Sequence, residues 1–409
     1  MFAYAVSCTM LGPLIPVLRS EYALTYSQAG LMTTLQGVGG SLSVLAGILV
    51  IDLLRRSTSI GVAFLIYTAS PFLVAFLPYY RALLVVFFLI GASTRLLESL
   101  INAYIADVHH QHRGFYLNIL HASFGLGALL GPSVSVLVLH ENLHWSWVFV
   151  GLSVFCLCAL AVYVAAERAY RREGMAGGRS DAAGPTPATR QSRFRDTRSP
   201  AGAGAFAGLL VLRNRAALIP CLLGFLYVGF ANGLSVWMPS YVYQVFRRPA
   251  FEATAPVSAM WVGIVGGRIA FSFLSRTHRV PSLLAVGNTL AALVTAVAIG
   301  VNTYWFLTFG LMTIGFLVGA NVPLAYSLLR ETYPENGGAM ASALTFFGTL
   351  GLVTIPWVAG VVADKANFWY GLITLGLCPW LLALLSLYLL LARRPAPVAG
   401  IPPKPAPQA

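Results

Sequence analysis

Glu98 and Arg95 stand three residues apart inside an apolar stretch that runs from Ala82 to Ala106, ALLVVFFLIGASTRLLESLINAYIA. A stretch of this length crosses a bilayer, which takes about 20 residues at about 1.5 Å of rise each. A carboxylate in hydrocarbon costs a few kcal/mol, so an ionisable group in such a segment turns onto a partner or an aqueous cavity. A spacing of three puts Arg95 and Glu98 on one helical face, and Asn102, one turn beyond Glu98, extends the polar stripe. Two kinds of chemistry are open to the stripe. Glu98 either cycles a proton as a cavity opens to each side, or forms a fixed pair with Arg95 that holds the helix to its neighbours. Arg95 either neutralises Glu98 or grips an anionic substrate through its planar donor fork.

Neutral polar groups recur in other apolar stretches. Asn118 and His121 share a face of the segment 114–139 and supply donors and acceptors to a polyol or to a bridging helix. An imidazole titrates near neutrality, which makes His121 a second candidate proton carrier. In the segment 215–243, Asn232 and Trp237 suit a sugar ring or another flat ligand, while Tyr241 and Tyr243 read as an interfacial aromatic belt. Asn321 and Tyr326 are similar candidates in the segment 303–329. Asp52 with Arg55, Asp107 with Arg113, and Arg330 with Glu331 sit at the cytoplasmic ends of segments, where inter-helix ion pairs joined by Arg268 are expected to latch an outward-facing state. His109, His110 and His112 have no cysteine neighbours and read as a solvated loop. Cys8, Cys156, Cys158, Cys221 and Cys378 all lie in apolar segments and read as small packing residues, so no metal site is expected.

The elements that must position these groups follow from composition. Of 409 residues 58% are hydrophobic and 10% charged, with a mean hydropathy of +0.76. A soluble domain carries about 25% charged residues, so the chain is a polytopic membrane protein. Twelve apolar windows are separated by polar breaks: 1–18, 28–51, 59–77, 82–106, 114–139, 145–166, 215–243, 254–275, 282–301, 303–329, 339–362 and 367–392. They predict a six-helix bundle over 1–166, a flexible Gly/Ser/Arg-rich linker over 167–214, a second six-helix bundle over 215–392 and a tail over 393–409. The net charge of +13 sits in loops between spans, which argues for topology and against a nucleic-acid partner. With the N-terminus placed inside, nineteen Lys and Arg fall on the cytoplasmic side against five outside, so both termini and the linker are expected in the cytoplasm. No cleavable signal peptide is expected, and whether a cytoplasmic leader precedes Met1 is left open by the sequence.

The halves resemble each other at an offset near 224. Phe2-Ala3-Tyr4 with Pro16 answers Phe225-Leu226-Tyr227 with Pro239, and Gly127 with Pro132 answers Gly351 with Pro356. Six spans, a linker and six related spans resemble the major facilitator arrangement, in which substrate binds between the halves near the midplane. Arg95 to Tyr104, RLLESLINAY, looks like span four of the fucose–galactose–glucose:proton symporter family, with its L-E-x-x-x-N-P-F pattern. Tyr116 to Pro132, YLNILHASFGLGALLGP, is similar to that family's span five. Phe225 to Gly229 and Gly266 to Arg268 resemble pieces of its spans seven and eight. Two positions depart from the pattern. The acid usual in span one is absent, its matching position falling near Gly12, and Ala103 replaces the motif proline.

The resemblance implies an all-helical secondary transporter that moves a small polar, sugar-like solute by alternating access with proton, or sodium, symport. Gly125, Gly127 and Gly131-Pro132 also resemble a signature of drug:proton antiporters, which keeps open an exporter of drug-like or organic-anion compounds; close helix packing is their other reading. No nucleotide-binding G-x-x-x-x-G-K-[ST] loop occurs, so no ATP, cofactor or enzymatic activity is expected. The expected setting is the lipid bilayer of a bacterial cytoplasmic membrane, as a monomer.

Overall fold

The computed structural model describes residues 1–51, 56–77, 79–108, 113–176, 215–333 and 337–391. These are helical, with no strand among the described residues. The first half holds α1 (Phe2–Thr9), α2 (Leu11–Tyr22), α3 (Tyr26–Ile51), α4 (Arg56–Val74), α5 (Tyr80–Val108), α6 (Arg113–His140) and α7 (Trp147–Ala176). The second half holds α8 (Arg215–Val245), α9 (Ala250–Leu274), α10 (Val280–Val301), α11 (Tyr304–Val318), α12 (Asn321–Thr332), α13 (Gly337–Lys365) and α14 (Phe368–Leu391). With α1/α2 and α11/α12 each taken as one unit, twelve units result. Nine of them are long and apolar enough to cross a membrane, and the bent α1/α2 pair makes ten. The remaining two are α3 and the shorter α4.

Two of the spans expected as continuous are broken. Span one ran to Leu18 by hydropathy, but α1 and α2 meet at 42°. Pro13 has no N–H for the carbonyl of Thr9, which ends the first helix there. The carbonyl of Met10 at the break instead accepts the Ser135 hydroxyl of α6 at 2.8 Å. Span ten breaks at Gly319–Ala320 because Pro323 leaves the Gly319 carbonyl without a helical donor. Arg268 Nε on α9 supplies that donor at 3.2 Å. Hydropathy averages over such breaks, because a proline turn in lipid stays apolar whenever a neighbouring helix satisfies it.

The broken span is fastened to its bundle by a buried polar cluster. Asn321 donates to Asn288 Oδ1 at 2.8 Å and to the Val318 carbonyl at 2.8 Å. Asn288 donates in turn to Asn321 Oδ1 at 2.9 Å and to Ser386 Oγ at 2.7 Å. Asn321→Ala leaves a buried amide unmatched, and the expected cost is about 1–3 kcal/mol. Thermal unfolding in detergent should show a clear drop in midpoint; an unchanged midpoint would show that the cluster carries no stability.

Candidate functional site

Between the halves lies a central cavity lined by Tyr4 and Cys8 of α1, Thr33, Gln36 and Gly37 of α3, Gly91, Thr94 and Arg95 of α5, Asn232 and Val236 of α8, and Leu352 of α13. The lining is mixed, with hydroxyls and amides between apolar walls. Thr33 and Thr94 donate to carbonyls of their own helices, Gly30 at 2.8 Å and Ile90 at 2.7 Å, and keep lone pairs free to accept. The Asn232 amide donates to the Val228 carbonyl at 2.9 Å. Gln36 is different. It is buried, and its Nε2 has no hydrogen-bond partner among the described residues. An unpartnered buried amide costs about 1–3 kcal/mol, a debt that a bound acceptor would cancel.

Arg95 and Glu98 meet on α5 as their spacing predicts, Nη1 to Oε2 at 2.8 Å, with side chains 24% and 18% exposed. The guanidinium also lies 5.6 Å from the centre of the Tyr4 ring, an attractive placement for a cation. Arg95 thus faces the cavity and Glu98 stands behind it. Asn102 continues the stripe on α5, and its Oδ1 is buried without a partner among the described residues.

The other candidates are dispersed. The side chains of Asn118, His121, Asp107 and Arg113 lie outside the described residues, as do Asp52, Arg55 and the three loop histidines. Trp237 is 1% exposed and does not line the cavity. Its Nε1 donates to the Pro356 carbonyl at 2.9 Å, and its ring lies edge-on to Tyr26 at 5.8 Å, where the halves meet. Asn321 lies in the cluster described above, away from the cavity. Arg268 serves the α11/α12 break and reaches Tyr227 Oη at 3.4 Å. Arg330 and Glu331 are exposed at the end of α12.

At one end the halves are tied together. The Asp364 carboxylate of α13 accepts the Tyr26 and Ser27 backbone N–H groups, each at 2.7 Å, and so caps the start of α3. Tyr26 Oη donates to Gln244 at 3.1 Å, Arg19 sits 3.4 Å over the Tyr26 ring, and Phe368 stacks on that ring at 4.7 Å. Thr34 Oγ1 donates to the Val353 carbonyl at 2.8 Å, about two turns further along α3. Gly12 closes the same seam, because a Cβ there would overlap the Ser235 carbonyl of α8. The position matching the symporter acid therefore has no room for a side chain.

The profile described as Major Facilitator Superfamily matches residues 1–287. The chain belongs to the major facilitator superfamily. Its fold is that of membrane transporters in this superfamily. It aligns with the solved structure of a D-xylose–proton symporter at TM-score 0.67 and 15% identity, covering 95% of this chain and 94% of the other. With the nucleoside transporter NupG the TM-score is 0.70 at 13% identity, covering 96% and 97%. A TsgA homolog of Yersinia enterocolitica is 20% identical over 288 residues, 68% of this chain and 65% of the relative. A cis,cis-muconate transport protein of Acinetobacter baylyi is 25% identical over 166 residues, 40% of each. The matches thus span less than two thirds of these two curated relatives.

Within this superfamily fold the cavity adds Gln36, Tyr4, Thr33 and Thr94 to the residues singled out by sequence. Gln36 carried a readable signal, as an uncharged amide in the interior of an apolar segment. Tyr4, Thr33 and Thr94 carried none, since such residues are ordinary in packed membrane helices.

Proposed function

We propose that the protein is a secondary active transporter that carries a small polar, sugar-like solute by alternating access, coupled to protons. The observation that carries this reading is the buried Gln36 amide, unpartnered at a cavity shared by both halves. Directional donors and acceptors around an enclosed space suit hydroxyls, and an unmet donor is what a hydroxyl oxygen satisfies. The likeness to structures named for a sugar and for nucleosides agrees with such a ligand. Glu98, behind Arg95, is the coupling group in this reading. The excess of Lys and Arg on one side supports cytoplasmic termini in a bacterial inner membrane. The end tied by Tyr26 and Asp364 is then the outer one, and the structure is closed to the outside.

Uptake into proteoliposomes from a panel of sugars and nucleosides, under imposed proton and sodium gradients, tests the reading. Gln36→Leu keeps the shape and removes the amide, and should weaken binding of the transported solute by about 5- to 150-fold, the equivalent of about 1–3 kcal/mol. Unchanged affinity would take the cavity amide out of recognition.

A second reading, transport of an organic anion, is favoured by Arg95 at the cavity wall and by the muconate transport relative. A dicarboxylate in the same panel, transported by the native protein and lost in Arg95→Gln, would install it instead.

A further inference from the structure

A second cavity lies within the C-terminal half, between α8, α10, α11 and α14. Leu234, Met238, Ile299, Leu311, Leu372 and Gly376 represent its wall. Its two hydroxyls are already engaged. Thr295 Oγ1 donates to the Ala291 carbonyl at 2.8 Å, and Tyr241 Oη donates to Asn302 Oδ1 at 2.7 Å. Water entering such a space finds few partners, so the space favours an apolar occupant.

The cavity lies beside the lipid-facing surface. Its wall includes Ile299 of α10 and Gly376 of α14, and a Cβ at Gly376 would come 3.0 Å from the Ile299 side chain. The next residues around these two helices point outward, with Val297 50% exposed and Leu377 53% exposed. In a bilayer, hydrocarbon chains would stand against the closely packed α10–α14 seam, with the apolar space on its inner side.

We propose that this cavity takes the end of one acyl chain of a membrane phospholipid, entering between α10 and α14. The chain would bury methylenes against the wall at about 0.8 kcal/mol each if it left water, but it leaves lipid, so van der Waals contact with an otherwise empty wall drives entry. The site also bears on transport. Trp369 lines the cavity and stacks on Tyr241 at 5.9 Å, Tyr241 lies 6.4 Å from Phe368, and Phe368 stacks on Tyr26 of the other half. A filled cavity backs this aromatic series and supports the tied end.

Full-length protein in phosphatidylcholine vesicles doped with a tail-diazirine phosphatidylcholine tests the proposal. After illumination, peptide mass spectrometry should place adducts on Met238, Leu307 or Leu311, which are 5%, 8% and 3% exposed and reachable only from within. Adducts confined to outward residues such as Val297, Leu377 and Leu384 would overturn it. Leu372→Trp fills the space and should remove the inner adducts while leaving the outer ones; inner adducts that persist in it would also count against the site. The wild-type adduct map decides by itself if that variant does not fold.

Discussion

Glu98→Gln is expected to abolish gradient-driven accumulation while leaving solute exchange between equal solutions largely intact. Glutamine copies the shape of a protonated glutamate and keeps a hydrogen-bond acceptor within reach of Arg95, but it carries no exchangeable proton. In the native protein Glu98 Oε2 holds Arg95 Nη1 at 2.8 Å, and Arg95 forms part of the cavity wall. With Glu98 as the proposed coupling group, its protonation would discharge the pair and free the guanidinium to turn toward a solute, and loss of the proton would restore the pair and withdraw it. Proton occupancy and solute contact would then be linked through one side chain, the differential interaction that coupling requires. A gradient of 100 mV contributes about 2.3 kcal/mol per charge, which sustains about 50-fold accumulation. The variant should fall from that ratio to simple equilibration. Accumulation that survives in Glu98→Gln would leave the pair with the structural role of holding α5 in place.

Gly12→Ala is expected to prevent the tied end from forming. The seam between α2 and α8 brings the Ser235 carbonyl against the Gly12 Cα, and Pro239 Cγ lies 3.3 Å from where a Cβ would stand. The obstacle is backbone in the middle of a helix, so relief requires α8 to move as a body. Overpacking of this kind costs about 1–3 kcal/mol or more, and at about 3 kcal/mol the closed population falls about 150-fold. Spin labels at Ser20 and Ala366, exposed on opposite halves at this end, report the change directly. The short-distance population should vanish in Gly12→Ala, and net transport should vanish with it, because a cycle that cannot close one side cannot alternate. Gly151→Ala is the control, since nothing stands within 4 Å of a Cβ there. A short-distance population retained in Gly12→Ala would show that this end closes by another seam.

The amino-acid sequence by itself determined the class of the protein, its helical units and the position of its charged stripe. Those properties are local. A run of apolar residues specifies a bilayer-spanning helix without reference to any other segment. Arg95 and Glu98 pair because three residues separate them on one helix, and no distant contact is needed. The breaks at Met10 and Gly319 were half legible: Pro13 and Pro323 mark them in the sequence, but Ser135 and Arg268, which satisfy the loosened ends, come from other helices. What only the tertiary structure decided was which polar groups meet. Asn232 and Asn321 look alike in sequence, each an amide in an apolar span. Packing sends one to the cavity wall and the other to a closed cluster with Asn288 and Ser386. Trp237, a plausible ring platform by composition, is buried where the halves meet, bonded to Pro356 of its own half and packed on Tyr26 of the other. Gln36 became a site residue only because α3, α5 and α8 converge around it. Lipid supplies no strong drive for one helix to choose another, so the choice rests on close backbone approach and on polar matches between distant segments. Hydropathy and spacing along one chain do not carry that information.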